Sequence, residues 1–378
     1  MHIVIAHLEK VTLYPPVINL IENLLNNKHR VSLVSYDIMS LSARIIENKN
    51  FQYTDIPQTV GSGIIKRYRR GMIRTREGRA AVEKYMKNAD VLWTTTDLTV
   101  RSLGDTVLKY KHIMQLMELE RWYPQFKGSK LFKFPIDQYA RRAWKVVVPE
   151  INRAYIQKTW WNLKEVPEVL PNKPYNMNPG DPLPEMEEAL EKMKKEEKKI
   201  ILYLGFIGSD RRLKEFAQAV EGCGKEYCLY VIGKVSDKSK DEFEKLLKKY
   251  SCVEYLGYYP APKHLLFLQY AHIGLLPYNP SGNHLYISEL NALYCAPNKI
   301  FEYSAYGIPM LGTDVPGLRQ PFEKYNIGIC KSKLDVDSIK DGILEIEKNY
   351  QIMSENCKLY YSSVNLDEIV NEILTKEE

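Results

Sequence analysis

Residues 291–317 read Asn-Ala-Leu-Tyr-Cys-Ala-Pro-Asn-Lys-Ile-Phe-Glu-Tyr-Ser-Ala-Tyr-Gly-Ile-Pro-Met-Leu-Gly-Thr-Asp-Val-Pro-Gly. Asn298 and Lys299 open a short helical pattern, and Glu302 follows three residues after the lysine. Gly307 supplies the left-handed residue that ends a helix, and Pro309 blocks its continuation. An apolar strand, Ile308 to Leu311, then runs into a Thr-Asp-Val-Pro-Gly turn. A lysine at a helix start suits a phosphate, and a carboxylate one turn further on suits a pair of sugar hydroxyls. From the residues alone this corner of an α/β unit reads as a clamp for a nucleotide sugar.

A second stretch supports it. Leu202-Tyr-Leu-Gly205-Phe-Ile-Gly208-Ser-Asp-Arg211-Arg212-Leu213 has the form strand, glycine loop, helix. Glycines let backbone N–H groups approach a phosphate, and the following helix start adds partial positive charge. Arg211 or its neighbour Arg212 stands within a turn of the loop, where guanidinium pairs with phosphate in bidentate fashion. Gly-x-Gly-x-x-Gly is absent, so a dinucleotide reading is poor. Gly233-Lys234 and Gly257-Tyr258-Tyr259 close two further strands on the expected ligand side, making Lys234 and Tyr258 candidates for donor contacts. The turn-rich segment 276–289 predicts a long loop facing the ligand, and Asn291 opens the next element.

The 291–317 stretch resembles the donor-binding segment of GT-B glycosyltransferases. It is most similar to the retaining, family-four-like enzymes that build bacterial capsule, lipopolysaccharide and other surface polysaccharides. Many of them carry Pro-Asn-Lys-x-Phe-Glu-Tyr followed by Gly-x-Pro. The resemblance implies two glutamates, with seven residues between them, flanking the donor. Glu302 matches the second, which binds the nucleotide ribose, whereas Tyr294 stands at the first. It further implies that Gly205, Gly208, Arg211, Asn298 and Lys299 contact the donor, and that the third-strand loop with Tyr258 holds the base. On the acceptor side it points to Glu118, where Met117 replaces a histidine, with His7 similarly placed at the end of the first strand.

The rest of the chain alternates strand and helix, which predicts parallel sheets. Apolar runs at 2–7, 31–36, 90–94, 112–117, 145–148 and 167–170 alternate with helical patterns, and the series restarts at Ile200 after the Pro- and Asn-rich segment 170–184. The fold expected is GT-B, two Rossmann-like doubly wound domains with a ligand cleft between them. The boundaries expected are 1–175 for the acceptor-side domain, 176–198 for a linker with a solvated charged helix, and 199–350 for the nucleotide-sugar domain. Residues 351–378 are expected as C-terminal helices that, by the resemblance, cross back to the first domain.

With 378 residues the chain is too long for one core, since domains usually span roughly 50–250 residues. Six cysteines without Cys-x-x-Cys spacing read as reduced packing residues. Asp335-Val-Asp337 precedes a helix pattern and reads as an N-cap, and no cluster has metal-ligand spacing, so no metal or cofactor beyond the donor is expected. The absence of a signal-peptide pattern or a bilayer-length apolar run predicts a cytoplasmic protein, peripheral at most. Of the formal charge of +6, segment 66–79 carries the equivalent, with Lys66, Arg67, Arg69, Arg70, Arg74, Arg76 and Arg79 against Glu77. Segment 121–134 interleaves Arg121, Trp122, Tyr123, Phe126, Lys127, Lys130, Phe132, Lys133 and Phe134. Both suit an anionic membrane surface or a solvated and core-packed helix, and lipid is preferred over nucleic acid because the resembling enzymes act on lipid-linked acceptors. The function expected is therefore transfer of a sugar from a nucleotide-diphosphate sugar to a lipid-linked or polysaccharide acceptor. The alternatives are a nucleotide-sugar epimerase of the same fold and a catalytically silent donor-binding subunit.

Overall fold

The computed structural model describes residues 1–57, 63–125, 132–280 and 289–375. They form two compact units, Met1–Asn176 with the segment from Asn365 onward, and Met177–Val364.

In the first unit the strands are β1 (His2–Lys10), β2 (Arg30–Tyr36), β3 (Phe51–Asp55), β4 (Val91–Thr94), β5 (His112–Gln115), β6 (Tyr123–Pro124), β7 (Lys133–Phe134), β8 (Lys145–Val148) and β9 (Glu168–Val169). The main sheet is parallel with order β3-β2-β1-β4-β5-β8-β9. Strand order reverses at β1/β4, the point where doubly wound sheets open a crevice at their carboxyl edge. Ile3, Val4, Ile5 and Ala6 are wholly buried, as a central strand covered on both faces requires. Two side-chain hydrogen bonds lie within this core: Trp93 Nε1–H donates to Gln115 Oε1 at 2.9 Å, and Thr94 Oγ1 meets His112 Nε2 at 2.8 Å.

The C-terminal helix Leu366–Thr375 belongs to this unit, burying Leu366, Val370, Ile373 and Leu374. Its Asp367 accepts from Asn23 Nδ2, Asn27 Nδ2 and Tyr175 Oη–H at 2.8, 2.6 and 3.0 Å. The preceding helix, Tyr350–Ser363, lies in the second unit, so the chain changes units within 351–378 and not at its start.

The second unit holds β10 (Lys199–Leu204), β11 (Tyr227–Ile232), β12 (Val253–Tyr255), β13 (Ile273–Leu276), β14 (Met310–Thr313) and β15 (Gly328–Lys331), parallel in the order β12-β11-β10-β13-β14-β15. Here the order reverses at β10/β13. Buried residues on one face of β10 (Ile200, Leu202, Leu204) pack with Ile300, Tyr303 and Phe322, and those on the other (Ile201, Tyr203) with Phe216, Phe243 and Ile343. The charged helix Glu187–Lys194 is no linker. Met186, Ala189 and Met193 are buried in the first of these clusters, so its methionine stripe is core while its Glu and Lys side chains face water. All six cysteines are free, and Asp335 caps its helix by accepting from Ser338 N–H at 2.8 Å.

Candidate functional site

The helix Asn298–Ala305 sets the geometry at the carboxyl edge of β10. Tyr303, wholly buried, donates its hydroxyl to the Leu202 carbonyl at 2.8 Å and accepts from Leu204 N–H at 3.2 Å. The helix is thereby pinned to the central strand. Gly274 in β13 makes the room, since a Cβ there would lie 2.6 Å from the Tyr303 ring. One turn earlier, Lys299 Cε comes within 3.8 Å of the place where a Gly205 side chain would begin. Pro297 precedes the helix and no side chain caps it, and Asn298 and Lys299 at its start are half-buried.

Glu302 is only 4% exposed. His264 Nε2 stands 3.2 Å from its Oε2. Burial alone would raise its pKa, but Lys299 and His264 outweigh it and bring the value down to about 2. An ionised, buried carboxylate is expensive unless compensated, and here two basic side chains supply that compensation. Nothing in Pro-Ala-Pro-Lys-His marks His264 in the sequence. It reaches Glu302 because the 3₁₀ segment Lys263–Tyr270 buries Leu265, Phe267 and Leu268 beneath it.

Three adjacent strands end in glycine: Gly205, Gly233 and Gly257, with φ of 150°, 157° and 90°. Gly205 N–H donates to Ile232 O at 2.9 Å and Gly233 N–H to Gly257 O at 2.8 Å. A Cβ on Gly233 would fall 1.6 Å from the Gly205 carbonyl oxygen. The edge is therefore a ledge of bare backbone. Gly208 follows in a turn closed by Arg211 N–H to Gly208 O at 3.1 Å. Lys234 is exposed beyond Gly233, and Tyr258, 54% exposed, stands beyond Gly257.

Arg211 is held inside the unit. Its guanidinium donates to the Asp210 carbonyl at 3.0 Å and to the Asp210 carboxylate, and it stacks over Tyr278 at 4.3 Å from the ring centre. Burial would lower its pKa, but Tyr203, Tyr278 and Asp210 together raise it. Arg212 pairs with Glu215 at 2.8 Å. A phosphate reaching Arg211 would thus share it with Asp210.

The structure brings Gly205, Lys299 and Glu302 together with His264, and sets Arg211 beside Tyr203, whose hydroxyl donates to Phe206 O at 2.7 Å. Glu118 and His7 belong to the first unit. Glu118 is exposed after β5. His7 is wholly buried, its Nδ1 2.8 Å from Thr95 Oγ1 and its ring edge-on to Tyr14. Burial pushes its pKa down to about 3, so it stays neutral at physiological pH and packs as a core histidine. Tyr294 follows the helix Glu289–Leu293 and closes it with N–H to Leu290 O at 2.9 Å. Residues 281–288 of the loop expected at 276–289 lie outside the described residues. Among the described residues no group of His, Cys, Asp and Glu is arranged to hold a metal ion.

The basic segment 66–79 is helical, within Ile64–Met86. Its charge is not one solvated face: Arg74 Nε–H donates to Ser102 Oγ and Arg79 Nε–H to Ser102 O, each at 3.1 Å. Lys66, Arg69 and Arg76 are exposed, interleaved with exposed Tyr68 and Met72. In segment 121–134, Tyr123 and Phe134 pair across β6 and β7 and are buried, whereas Phe132 is exposed. Phe126, Lys127 and Lys130 lie outside the described residues. No helix among the described residues is long and apolar enough to cross a membrane.

Residues 185–361, just under half of the chain, match the family model described as glycosyl transferases group 1. No curated protein matches the sequence. Among solved structures, the sucrose-phosphate synthase of Thermosynechococcus elongatus is 14% identical with a TM-score of 0.71, over 99% of this chain and 97% of that one. HepE of Anabaena, solved in complex with UDP and glucose, is 12% identical with a TM-score of 0.71, over 99% of both chains. A putative UDP-N-acetylglucosamine 2-epimerase of Listeria monocytogenes is 13% identical with a TM-score of 0.59, over 99% of this chain and 94% of that one. The fold is GT-B, and the match to the group 1 glycosyl transferase model falls within the second unit.

Proposed function

We propose that this GT-B protein, with its group 1 glycosyl transferase domain, moves a sugar from a nucleotide-diphosphate sugar to a lipid-linked or polysaccharide acceptor in bacterial surface glycan synthesis. The observation that carries the reading is the buried, ionised Glu302 beside Lys299, at the glycine ledge of the β10/β13 switch point. Such an edge offers backbone donors and one cation to a diphosphate, and a carboxylate to a ribose diol. As the donor breaks, negative charge grows on the departing diphosphate, and the 205–208 backbone, Lys299 and Arg211 would stabilise it. Retention of configuration, with the leaving phosphate taking the acceptor proton, is the route the resemblance favours, and it calls for no metal and no separate base.

The test is incubation of the protein with a panel of nucleotide sugars and a membrane-lipid extract. Transfer to lipid or glycan supports the reading. A changed free donor marks an epimerase, whose fold this chain shares, and binding without turnover marks a silent subunit, the outcome that Tyr294 at the first glutamate position would favour.

Two expectations follow for the partners. Lys299→Ala should lose ~1.5–3 kcal/mol of affinity for a nucleoside diphosphate, the value of a hydrogen bond to a charged group, and far less for the nucleoside. Arg211→Ala should show the same discrimination with a lowered melting temperature as well, because Asp210 loses its buried partner. Calorimetry that found equal losses for nucleoside and diphosphate would remove both from the phosphate. On the first unit, anionic vesicles should bind through Lys66, Arg69 and Arg76, with Tyr68 and Met72 at headgroup depth. Replacing those three cations with Gln should weaken binding roughly a hundredfold, at ~1 kcal/mol each, and salt should weaken the native interaction. Sedimentation with native protein that ignores vesicles refutes the membrane partner.

A further inference from the structure

A different residue completes the ribose side of this site. We propose that His264 is a positioning residue for Glu302, holding one carboxylate oxygen so that the other is presented to the 2′- and 3′-hydroxyls of a ribonucleotide. The inference rests on the reading of the second unit as a nucleotide-sugar site.

The geometry begins with the Glu302 carboxylate, whose Oε2 lies 3.2 Å from His264 Nε2. The two side chains are 5% and 13% exposed, so water does little to orient either. A carboxylate oxygen only accepts, so Nε2 carries the proton at this contact. The neutral tautomer suffices for that, and the contact does not require an imidazolium.

Holding the fold together is a poor explanation of the pair. The segment Lys263–Tyr270 is already anchored by buried Leu265, Phe267 and Leu268. The helix Asn298–Ala305 is already anchored by Ile300 and by Tyr303, whose hydroxyl bonds the Leu202 carbonyl and the Leu204 N–H. Each element has its own apolar footing, and a histidine facing a carboxylate between them adds a desolvation cost that an apolar pair would avoid. What the contact does add is direction, because a carboxylate fixed at one oxygen presents the second in a defined place.

The route of the chain supports a recognition role. Gly257, at the end of β12, accepts from Gly233 N–H at 2.8 Å, and Tyr258 follows it. His264 N–H reaches back to Pro260 O at 3.4 Å and Leu265 N–H to Pro262 O at 3.0 Å, closing the intervening loop into tight turns. Seven residues after the ledge, the same loop delivers an imidazole to Glu302. The loop that would meet the base is thus continuous with the residue that orients the ribose carboxylate, and the two recognitions share one backbone.

The ligand class is then a ribonucleotide in preference to its 2′-deoxy counterpart. UDP, GDP, ADP and CDP would be titrated against the full chain by calorimetry, and the tightest compared with its 2′-deoxy form. His264→Ala should weaken the ribonucleotide about tenfold, within the range of a hydrogen bond to a charged group, while the deoxy form changes less than twofold. His264→Gln, whose amide N–H can reach the same oxygen, should restore the discrimination. Equal losses for ribo and deoxy forms, no loss in either, or a folded Gln variant that does not discriminate would each overturn the assignment. If the alanine variant does not fold, the glutamine variant alone decides. Failure of the native protein to bind any of the four would refute the nucleotide-sugar reading itself, and this inference with it.

Discussion

Gly233→Ala should cost more than about 4 kcal/mol of folding stability, enough to leave most of a marginally stable domain unfolded. The cause is local and double. At φ 157° the backbone lies where L side chains are strained, and the new Cβ would sit 1.6 Å from the Gly205 carbonyl oxygen. That oxygen belongs to backbone hydrogen-bonded to β11, so neither side can yield without opening the β10–β11 edge. Gly224 is the control: it too has positive φ, at 79°, but a Cβ there meets nothing within 4 Å. Gly224→Ala should therefore cost only about 1–2 kcal/mol, the strain of a left-handed L residue. Urea unfolding of the two variants separates crowding from strain. If both cost the same, the backbone contact between the two loops is not what the structure describes.

That contact also shows what a sequence can and cannot disclose. The corner at 291–317 was legible because its signals are local: the helix Asn298–Ala305, Gly307 at φ 68° and β14 stand in the order that the Gly-Ile-Pro punctuation predicts. The strands that read as continuous apolar runs, β1 and β10 among them, are those covered on both faces. β3, Phe-Gln-Tyr-Thr-Asp, carries no apolar run because an edge strand keeps polar side chains partly in water. The basic helix failed differently. Charge counting treats every arginine alike, whereas Arg74 and Arg79 donate to Ser102, a residue more than twenty positions along the chain. In the same way Arg211 was recognisable as a cation beside a glycine loop, but not as the partner of Tyr278, nor was His264 recognisable as the partner of Glu302, 38 residues away. Side chains whose role depends on a partner distant in sequence leave no periodic or spacing signal.

Glu302→Gln tests the centre of the site, and pH makes the test specific. In the native protein the carboxyl titrates at about 2, against 4.5 as its ordinary value. A group with a depressed folded pKa stabilises the native state above its unfolded pKa, and that contribution is lost as pH falls through the folded value. The stabilisation from Glu302 should therefore be complete above about pH 4.5 and gone near pH 2, with a span of roughly 3 kcal/mol. Glutamine cannot ionise, so the variant should be less stable than the native protein at pH 7 by an amount that shrinks towards zero on acidification. At neutral pH, on folded variant, the affinity for a nucleoside diphosphate should drop by ~1.5–3 kcal/mol, because the amide presents one acceptor where the ribose needs a charged one. A stability difference that does not change with pH would mean that Lys299 and His264 do not hold the carboxylate ionised. Full nucleotide affinity in a variant that shows the predicted acid slope would make Glu302 a buried structural ion, and would move the ribose contact elsewhere on the glycine ledge.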